Sequence, residues 1–195
     1  MSELFVKTQF GSGTMAKERG ELVKTITYDL KTILGSRPIY HQSYTVGAQG
    51  VEVEVDLETG RVDVLRIVNA IDVGKAINAQ SVQNQIRGAT LHGLGTALYE
   101  EVKLGNDGRM LNSSFMDYKV PTVCEQPLEM EEIIVESEGN FGPYGAKSIG
   151  QYPLIATGPA IASAVSSAIG VQLTHLPMTR ERILSAVERG RKEGP

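Results

Sequence analysis

The sequence predicts an α+β fold, a mixed sheet with a β-hairpin packed by a glycine-containing helix and two C-terminal helices. Three observations predict it: an alternating pattern from residue 51, a helical pattern over residues 78–99 with internal glycines, and two later helical patterns after a glycine- and proline-rich loop. The hairpin comes first, and helices and a further strand are interleaved after it. That order is typical of α+β proteins.

The hairpin is predicted from a two-residue period. Val51, Val53 and Val55 alternate with acidic residues, as expected for a strand with one buried face. A turn at residues 56–60 ends in glycine, and alternation resumes over residues 62–71. This pattern predicts two antiparallel strands with a short connection. Another strand is predicted at 131–136.

The first helix is predicted to begin after Asn78 and to run to about Tyr99. The Asn78 side-chain oxygen can accept from the amides of the first turn, which have no partner within a helix. Gly88, Gly93 and Gly95 lie inside this helix, and each costs about 1 kcal/mol relative to alanine. We expect a close approach by another helix or by a ligand to offset that cost.

Two further helices are predicted near the carboxyl end. Residues 157–159 are expected to open the first, with proline at the tolerated first position and Gly170 just past its end. Thr179 is the expected cap of the second helix, whose apolar stripe includes Ile183 and Val187.

The composition argues against several classes of function. The 195 residues are 41% hydrophobic and 22% charged with a net charge of −4, and they contain no basic run, so nucleic acid is not the expected partner. No apolar run approaches the length of a membrane span, and no apolar signal segment is evident, so a cytoplasmic protein without membrane contact is expected. The single cysteine, Cys124, excludes an internal disulfide, a multi-cysteine zinc site and an iron–sulfur cluster held by this chain alone.

Residues 142–153 form the most informative segment, because their glycines and prolines are incompatible with a helix or a central strand. Ordered loops of this length beside a packed core usually bind a ligand. Lys147 is suited to a phosphate, and a surface lysine is an equal alternative. Its neighbours can offer backbone amides to a ligand or simply shape a turn: Gly145, Ala146, Ser148, Ile149 and Gly150.

Four segments stand in a specific order and rough spacing, although each alone is a weak signal: residues 47–78, 85–95, 115–122 and 145–150. Together they resemble the molybdopterin-binding part of the xanthine dehydrogenase and aldehyde oxidase family, the molybdenum hydroxylases. The resemblance covers roughly residues 44–187. It implies that residues 41–190 form a C-terminal-type molybdopterin-binding domain. Residues 1–40 are a poorly patterned segment, and 191–195 are expected to be a frayed tail.

The resemblance also implies a cofactor and partners. The cofactor is a molybdopterin dinucleotide whose dithiolene holds molybdenum, so no metal ligand from the protein is expected. The partners are the remaining part of the molybdenum subunit, an iron–sulfur and FAD-containing flavin subunit for electron exit, and a small-molecule substrate. The chain is too short to be the whole subunit, so it is a separately encoded half or a fragment, and activity of this chain alone is not expected.

Site residues follow from the same resemblance. Gln85 matches a glutamine that touches the pterin in the family and lies near Gly88 on the glycine-bearing helix, although a solvent-facing helix glutamine is the alternative. In the family, a glutamate after the last loop glycine acts as the general base. Here that position is Gln151. A carboxamide has no useful basicity near neutral pH, and losing such a base typically costs about 10²–10⁴ in rate.

Gln151 leaves two interpretations open. In the first, the chain is part of an oxidoreductase that hydroxylates a heterocycle or an aldehyde with water, and another group replaces the base or the bound cofactor serves a different reaction. In the second, it is a non-catalytic assembly or ligand-binding subunit on the same scaffold, which an exposed apolar helix face would favour. The cofactor interpretation requires that Gln85 and the stretch around Lys147 line one cleft.

Overall fold

The computed structural model describes residues 44–138 and 142–193. Within these ranges the chain forms three strands and three helices, and the predicted α+β class is confirmed. In chain order they are β1 (Gly47–Val55), β2 (Val62–Asp72), α1 (Ala79–Leu98), β3 (Glu129–Val135), α2 (Tyr152–Ile169) and α3 (Arg180–Glu193). The segment predicted as poorly patterned, residues 1–40, lies outside the described residues.

The sheet has the order β1-β2-β3, with β1 antiparallel and β3 parallel to the central strand β2. The predicted hairpin is confirmed as β1 and β2. Its turn is fixed locally, because the Asp56 carboxylate accepts from the Glu58 amide at 2.8 Å and from the Thr59 hydroxyl at 2.7 Å. Gly60 then takes a φ of +69°, which favours glycine.

Helix α1 begins as predicted, because the Asn78 side chain accepts from the Ser81 amide at 3.0 Å. A close helix approach explains Gly93, where an added Cβ would lie 2.4 Å from the Thr157 Cβ of α2. Gly88 is different, because an added Cβ there would meet nothing within 4 Å. The described part of the chain therefore does not offset the cost of glycine at this position.

The predicted start of α2 at residue 157 is wrong, because the helix already begins at Tyr152. Pro153 lies in the first turn, where proline is tolerated since its missing N–H has no helical partner there. Pro159 lies inside the helix, and the carbonyl it leaves without a donor belongs to Ile155, which is on the exposed side. The helix ends as predicted at Gly170, with a φ of 71°.

The sheet and the helices enclose one main core. Ile67, Leu94, Ile161 and Ile183 are fully buried and bring β2, α1, α2 and α3 together. A smaller cluster, which includes Ile71, Val73, Val82 and Ile86, packs where β2 ends and α1 begins. Helix α3 continues to Glu193, so residues 191–193 of the predicted frayed tail are helical.

One helix in the described part of the chain, α2, is long and apolar enough to span a membrane, with a mean hydropathy of 1.2 over 18 residues. The expectation that no segment reaches this length is therefore wrong. The finding is weak evidence for a membrane, since core helices pass the same test. Helix α2 contacts α1 and β1, and its Ile161 and Val165 are fully buried.

Candidate functional site

Five of the eight predicted cofactor-binding residues line a cleft of about 480 Å³ at the carboxyl end of β2: Gln85, Ala146, Lys147, Ile149 and Gly150. Gly88, Gly145 and Ser148 are not among its lining residues. Residues 73–85 line one side and residues 146–150 the other; we call this the loop–helix cleft. The Gln85 Nε2 donates to the Gly150 carbonyl oxygen at 2.7 Å, which ties α1 to the glycine loop. The condition that Gln85 and the stretch around Lys147 line one cleft is met.

The glycine loop is attached to the end of β2 by backbone bonds. The Lys147 amide donates to the Val73 carbonyl at 2.9 Å, and the Lys75 amide donates to the Gly145 carbonyl at 3.1 Å. Gly74 makes this approach possible: its φ is +60°, and an added Cβ would lie 2.1 Å from the Gly145 oxygen. The loop therefore continues the sheet by one antiparallel bridge.

The Lys147 ammonium is engaged within the chain. It donates to the Asp72 carboxylate and, at 3.0 Å, to the Ser137 hydroxyl, and the Lys147 and Asp72 side chains are each only 13% exposed. Burial raises the pKa of Asp72, but hydrogen bonds from Lys147, the Gly74 amide and Ser137 outweigh burial and hold this pKa at about 2. This geometry favours neither of the two roles considered for Lys147, a phosphate ligand or a surface lysine.

The amides of the loop divide into two groups. The Gly145 amide donates to the Gly142 carbonyl at 2.9 Å, so it shapes the turn. Within residues 44–138 and 142–193, no acceptor is found for the amides of Ser148, Ile149 and Gly150. These three amides are backbone donors that a ligand can use, and their binding role stays a prediction.

Gln151 is exposed at the start of α2, next to the cleft, and its side chain makes no capping bond to that helix. Gly150 is also exposed, and an added Cβ there would meet nothing within 4 Å. The Gln85 and Gln151 carboxamides therefore both lie next to Gly150, whose backbone is exposed. The role predicted for Gln151 stays a prediction, since geometry alone does not test it.

The donors of the cleft fit a polar, hydrogen-bonding pterin. Gln85 uses one N–H on Gly150 and keeps a second N–H and a carbonyl oxygen. Positive charge is scarce, because Lys75 pairs with Glu136 at 3.1 Å and Lys147 pairs with Asp72. The donors that remain for a ligand are therefore mainly carboxamides and backbone amides. In the described ranges, no cluster of His, Cys, Asp or Glu side chains is suited to hold a metal ion.

Sequence reasoning missed three residues that organise this site. Asp72 belongs to a resembling segment, but nothing in its local pattern singles it out. Gln49 on β1 reaches the first turn of α2, where its Nε2 donates to the Pro153 carbonyl at 2.8 Å. Asn69 lies directly opposite Gln49 in the sheet. The sequence did contain a signal for Asn69, because a polar asparagine stands between Ile67 and Ile71 in the inward-facing row of β2.

Comparison with known proteins identifies the family. Residues 3–127 match the family model described as a molybdopterin cofactor-binding domain. The chain belongs to this family. The match includes residues before 44, which lie outside the described part of the chain, together with β1, β2 and α1. The resemblance noted from the sequence is thereby confirmed.

Relatives and solved structures agree with this assignment. The chain is 39% identical over 145 residues to the 6-hydroxypseudooxynicotine dehydrogenase complex subunit gamma of Paenarthrobacter nicotinovorans, covering 73% of this chain and 18% of that protein. It is 35% identical over 172 residues to a probable xanthine dehydrogenase subunit of Bacillus subtilis, covering 88% and 23%. Aldehyde oxidoreductase from Desulfovibrio desulfuricans has a similar fold, with a TM-score of 0.69 and 32% identity over 74% of this chain and 16% of that one. The chain thus spans about a fifth of the length of these curated relatives.

Proposed function

We propose that this chain supplies part of the molybdopterin dinucleotide site of a xanthine dehydrogenase- or aldehyde oxidase-like enzyme that hydroxylates a heterocycle or an aldehyde using water. The observation that carries the proposal is the bond from Gln85 to Gly150, which unites helix α1 and the glycine loop of a molybdopterin cofactor-binding family member. The matched relatives are named as dehydrogenases and oxidoreductases, which favours an enzyme subunit over a non-catalytic assembly subunit.

The residues of the cleft would have different roles in binding the cofactor and orienting the substrate. The bound cofactor supplies the redox chemistry. Gln85 would hold the pterin edge through its carbonyl oxygen and second N–H, and the amides of Ser148, Ile149 and Gly150 would donate to polar atoms of the cofactor. Gln151 can orient a substrate or a water molecule by hydrogen bonding, but it cannot accept a proton near neutral pH. The proton acceptor then belongs to another group, or the reaction is not hydroxylation.

The proposed partners are the remaining part of the molybdenum subunit and an iron–sulfur and FAD-containing flavin subunit, in the cytoplasm. Two observations support the first of these. The chain spans only 18% and 23% of two relatives. Phe115, Met116 and Leu128 also expose more than four fifths of their surface, at 85%, 81% and 82%. Exposed apolar residues of this size are typical of a surface that packs against another protein region.

Metal and pterin analysis of the complete complex, purified from its source, tests the proposal. We expect stoichiometric molybdenum and pterin. In the same complex, Gln85→Leu should lower the cofactor content, because it removes the bond to Gly150 and the polar atoms offered to the pterin. Gln83→Leu, at an exposed position of the same helix outside the cleft, should leave the content unchanged. A complex without molybdenum and pterin would contradict the proposal.

The position of Gln151 is tested separately. In the complete complex, Gln151→Glu should raise turnover, because it restores a carboxylate that can accept a proton. The gain should depend on pH, since only the ionised carboxylate is a base. Unchanged turnover would show that the base lies elsewhere in the complex.

A further inference from the structure

Two glutamine side chains hold the backbone on either side of Gln151. Gln85 donates to the carbonyl of Gly150, the residue before it, at 2.7 Å. Gln49 donates to the carbonyl of Pro153, two residues after it, at 2.8 Å. The Gln151 side chain makes no capping bond to its own helix. The position of its carboxamide therefore depends on the backbone, which these two hydrogen bonds hold on either side.

Gln49 is itself held by a residue of the neighbouring strand. It lies opposite Asn69 in the antiparallel pair of β1 and β2, and its Nε2 also donates to the Asn69 Oδ1. The Thr90 hydroxyl of α1 donates its single proton to the Ile86 carbonyl at 2.8 Å and lies 3.4 Å from the same Asn69 oxygen. Asn69 and Thr90 are fully buried. The Pro153 carbonyl can only accept, so the nitrogen of the Gln49 carboxamide must face it. A hydrogen-bonded polar chain therefore runs from Asn69 on β2 through Gln49 on β1 to the first turn of α2.

This polar chain is not optimised for stability. Among the described residues, the buried Gln49 Oε1 and Asn69 Nδ2 have no hydrogen-bond partner. A buried polar atom without a partner is unfavourable, and a pair of apolar side chains of similar shape would avoid the penalty. Packing alone does not explain two carboxamides here. The bond from Gln49 to the Pro153 carbonyl, which also accepts from the Thr157 hydroxyl at 2.7 Å, gives the pair a specific task.

We propose that Gln49, held by Asn69, is a positioning residue that fixes the first turn of α2 and so sets the place of the Gln151 carboxamide beside the loop–helix cleft. Gln49 acts through the backbone and does not touch the cofactor. The inference rests on the proposed function, because that function makes the position of Gln151 important.

Hydrogen–deuterium exchange on the complete complex tests this role. Gln49→Met keeps the length of the side chain but removes the donor to Pro153. We expect exchange in residues 154–158 to become about fivefold to tenfold faster, the size of one lost hydrogen bond. Exchange in α1 should not change, and in β2 a smaller increase is expected only around Asn69, which loses the same donor. Gln172→Met, at an exposed glutamine, is the matched control and should change neither region.

Gln49→Glu adds a pH-dependent readout, which a purely structural role would not show. Because glutamate has nearly the same volume as glutamine, this variant also serves if Gln49→Met does not fold. A protonated carboxyl can donate its O–H to the Pro153 carbonyl, whereas the ionised form repels that oxygen. Protection of residues 154–158, corrected for intrinsic exchange, should therefore return as the pH is lowered. Unchanged exchange in the variants, faster exchange throughout the sheet, or protection independent of pH would overturn the positioning role. Molybdenum measured on the unsubstituted complex tests the proposed function independently, so the two failures are distinguishable.

Discussion

An aspartate and a nearby glycine with positive φ organise each end of the central strand β2, but the sequence separation of the hydrogen-bonded partners differs greatly between the two ends. At the hairpin end, Asp56 accepts from the Glu58 amide and the Thr59 hydroxyl, two and three residues away. Gly60 completes this turn with a φ of +69°. Every hydrogen-bond partner of Asp56 is local, so these bonds depend on one short segment of the sequence. Gly60 also lies against α3, where an added Cβ would be 2.6 Å from the Arg180 carbonyl oxygen.

At the cleft end, Asp72 accepts from Ser137, 65 residues away, and from Lys147, 75 residues away. Gly74 has a φ of +60° and contacts the Gly145 carbonyl. Three distant segments must therefore come together before the loop–helix cleft exists. The comparison teaches that the same residue types build a local turn at one end and a site dependent on the whole fold at the other.

The largest effect expected from this comparison is at Asp72. Asp72→Asn keeps the shape but removes the charge that faces the partly buried Lys147 ammonium, so the free energy of unfolding should fall by about 2–3 kcal/mol. Asp56→Asn at the exposed hairpin turn is the matched control and should cause a much smaller loss. Urea unfolding of both variants measures the difference. Equal losses at the two positions would break the comparison.

Low pH should also remove the contribution of the Asp72 carboxylate to the free energy of unfolding. The folded pKa of Asp72 is about 2, below its ordinary value of 3.8, so its stabilisation is fully present above pH 3.8 and is lost as the pH falls through about 2. The shift corresponds to about 2 kcal/mol. We expect the stability difference between the unsubstituted chain and Asp72→Asn to shrink over this window in unfolding measurements at stepwise lower pH. A difference that persists at about pH 1.5, below the folded pKa, would show that the carboxylate charge is not its source.

Two glycines of α1 sharpen the comparison with smaller effects of opposite sign. Gly93→Ala should lower stability by about 1–2 kcal/mol, because the added Cβ would lie 2.4 Å from the Thr157 Cβ. Gly88→Ala should raise the stability of the chain by about 0.5–1 kcal/mol, because its Cβ enters open space and alanine favours the helix.

Thermal unfolding of both alanine variants checks these signs. In the complete complex, Gly88→Ala should also lower the molybdenum content if a cofactor approaches that backbone, as the family resemblance implies. A destabilising Gly88→Ala in the chain alone would mean that another part of this chain already packs there.

Prediction from sequence succeeded where the signal lies within a few residues. The alternation of valines located β1, and the Asn78 cap located the start of α1, because both patterns report contacts within one element. The start of α2 was misplaced, because Pro153 and Pro159 both satisfy the local rule for a first turn and only packing distinguishes them. The roles of Asp72 and Gln49 were not predictable, since their partners are 75 and 104 residues away.

The sequence by itself determined the α+β class, the hairpin, the glycine-bearing helix and the family, because periodic patterns and ordered motifs are properties of the chain alone. Tertiary structure decided that Lys147 pairs with Asp72, that Gln85 meets Gly150, and that Gly93 but not Gly88 lies against another helix. The physical reason is that a hydrogen bond or an ion pair acts only over a few ångströms, and only the folded core brings such distant residues within that range.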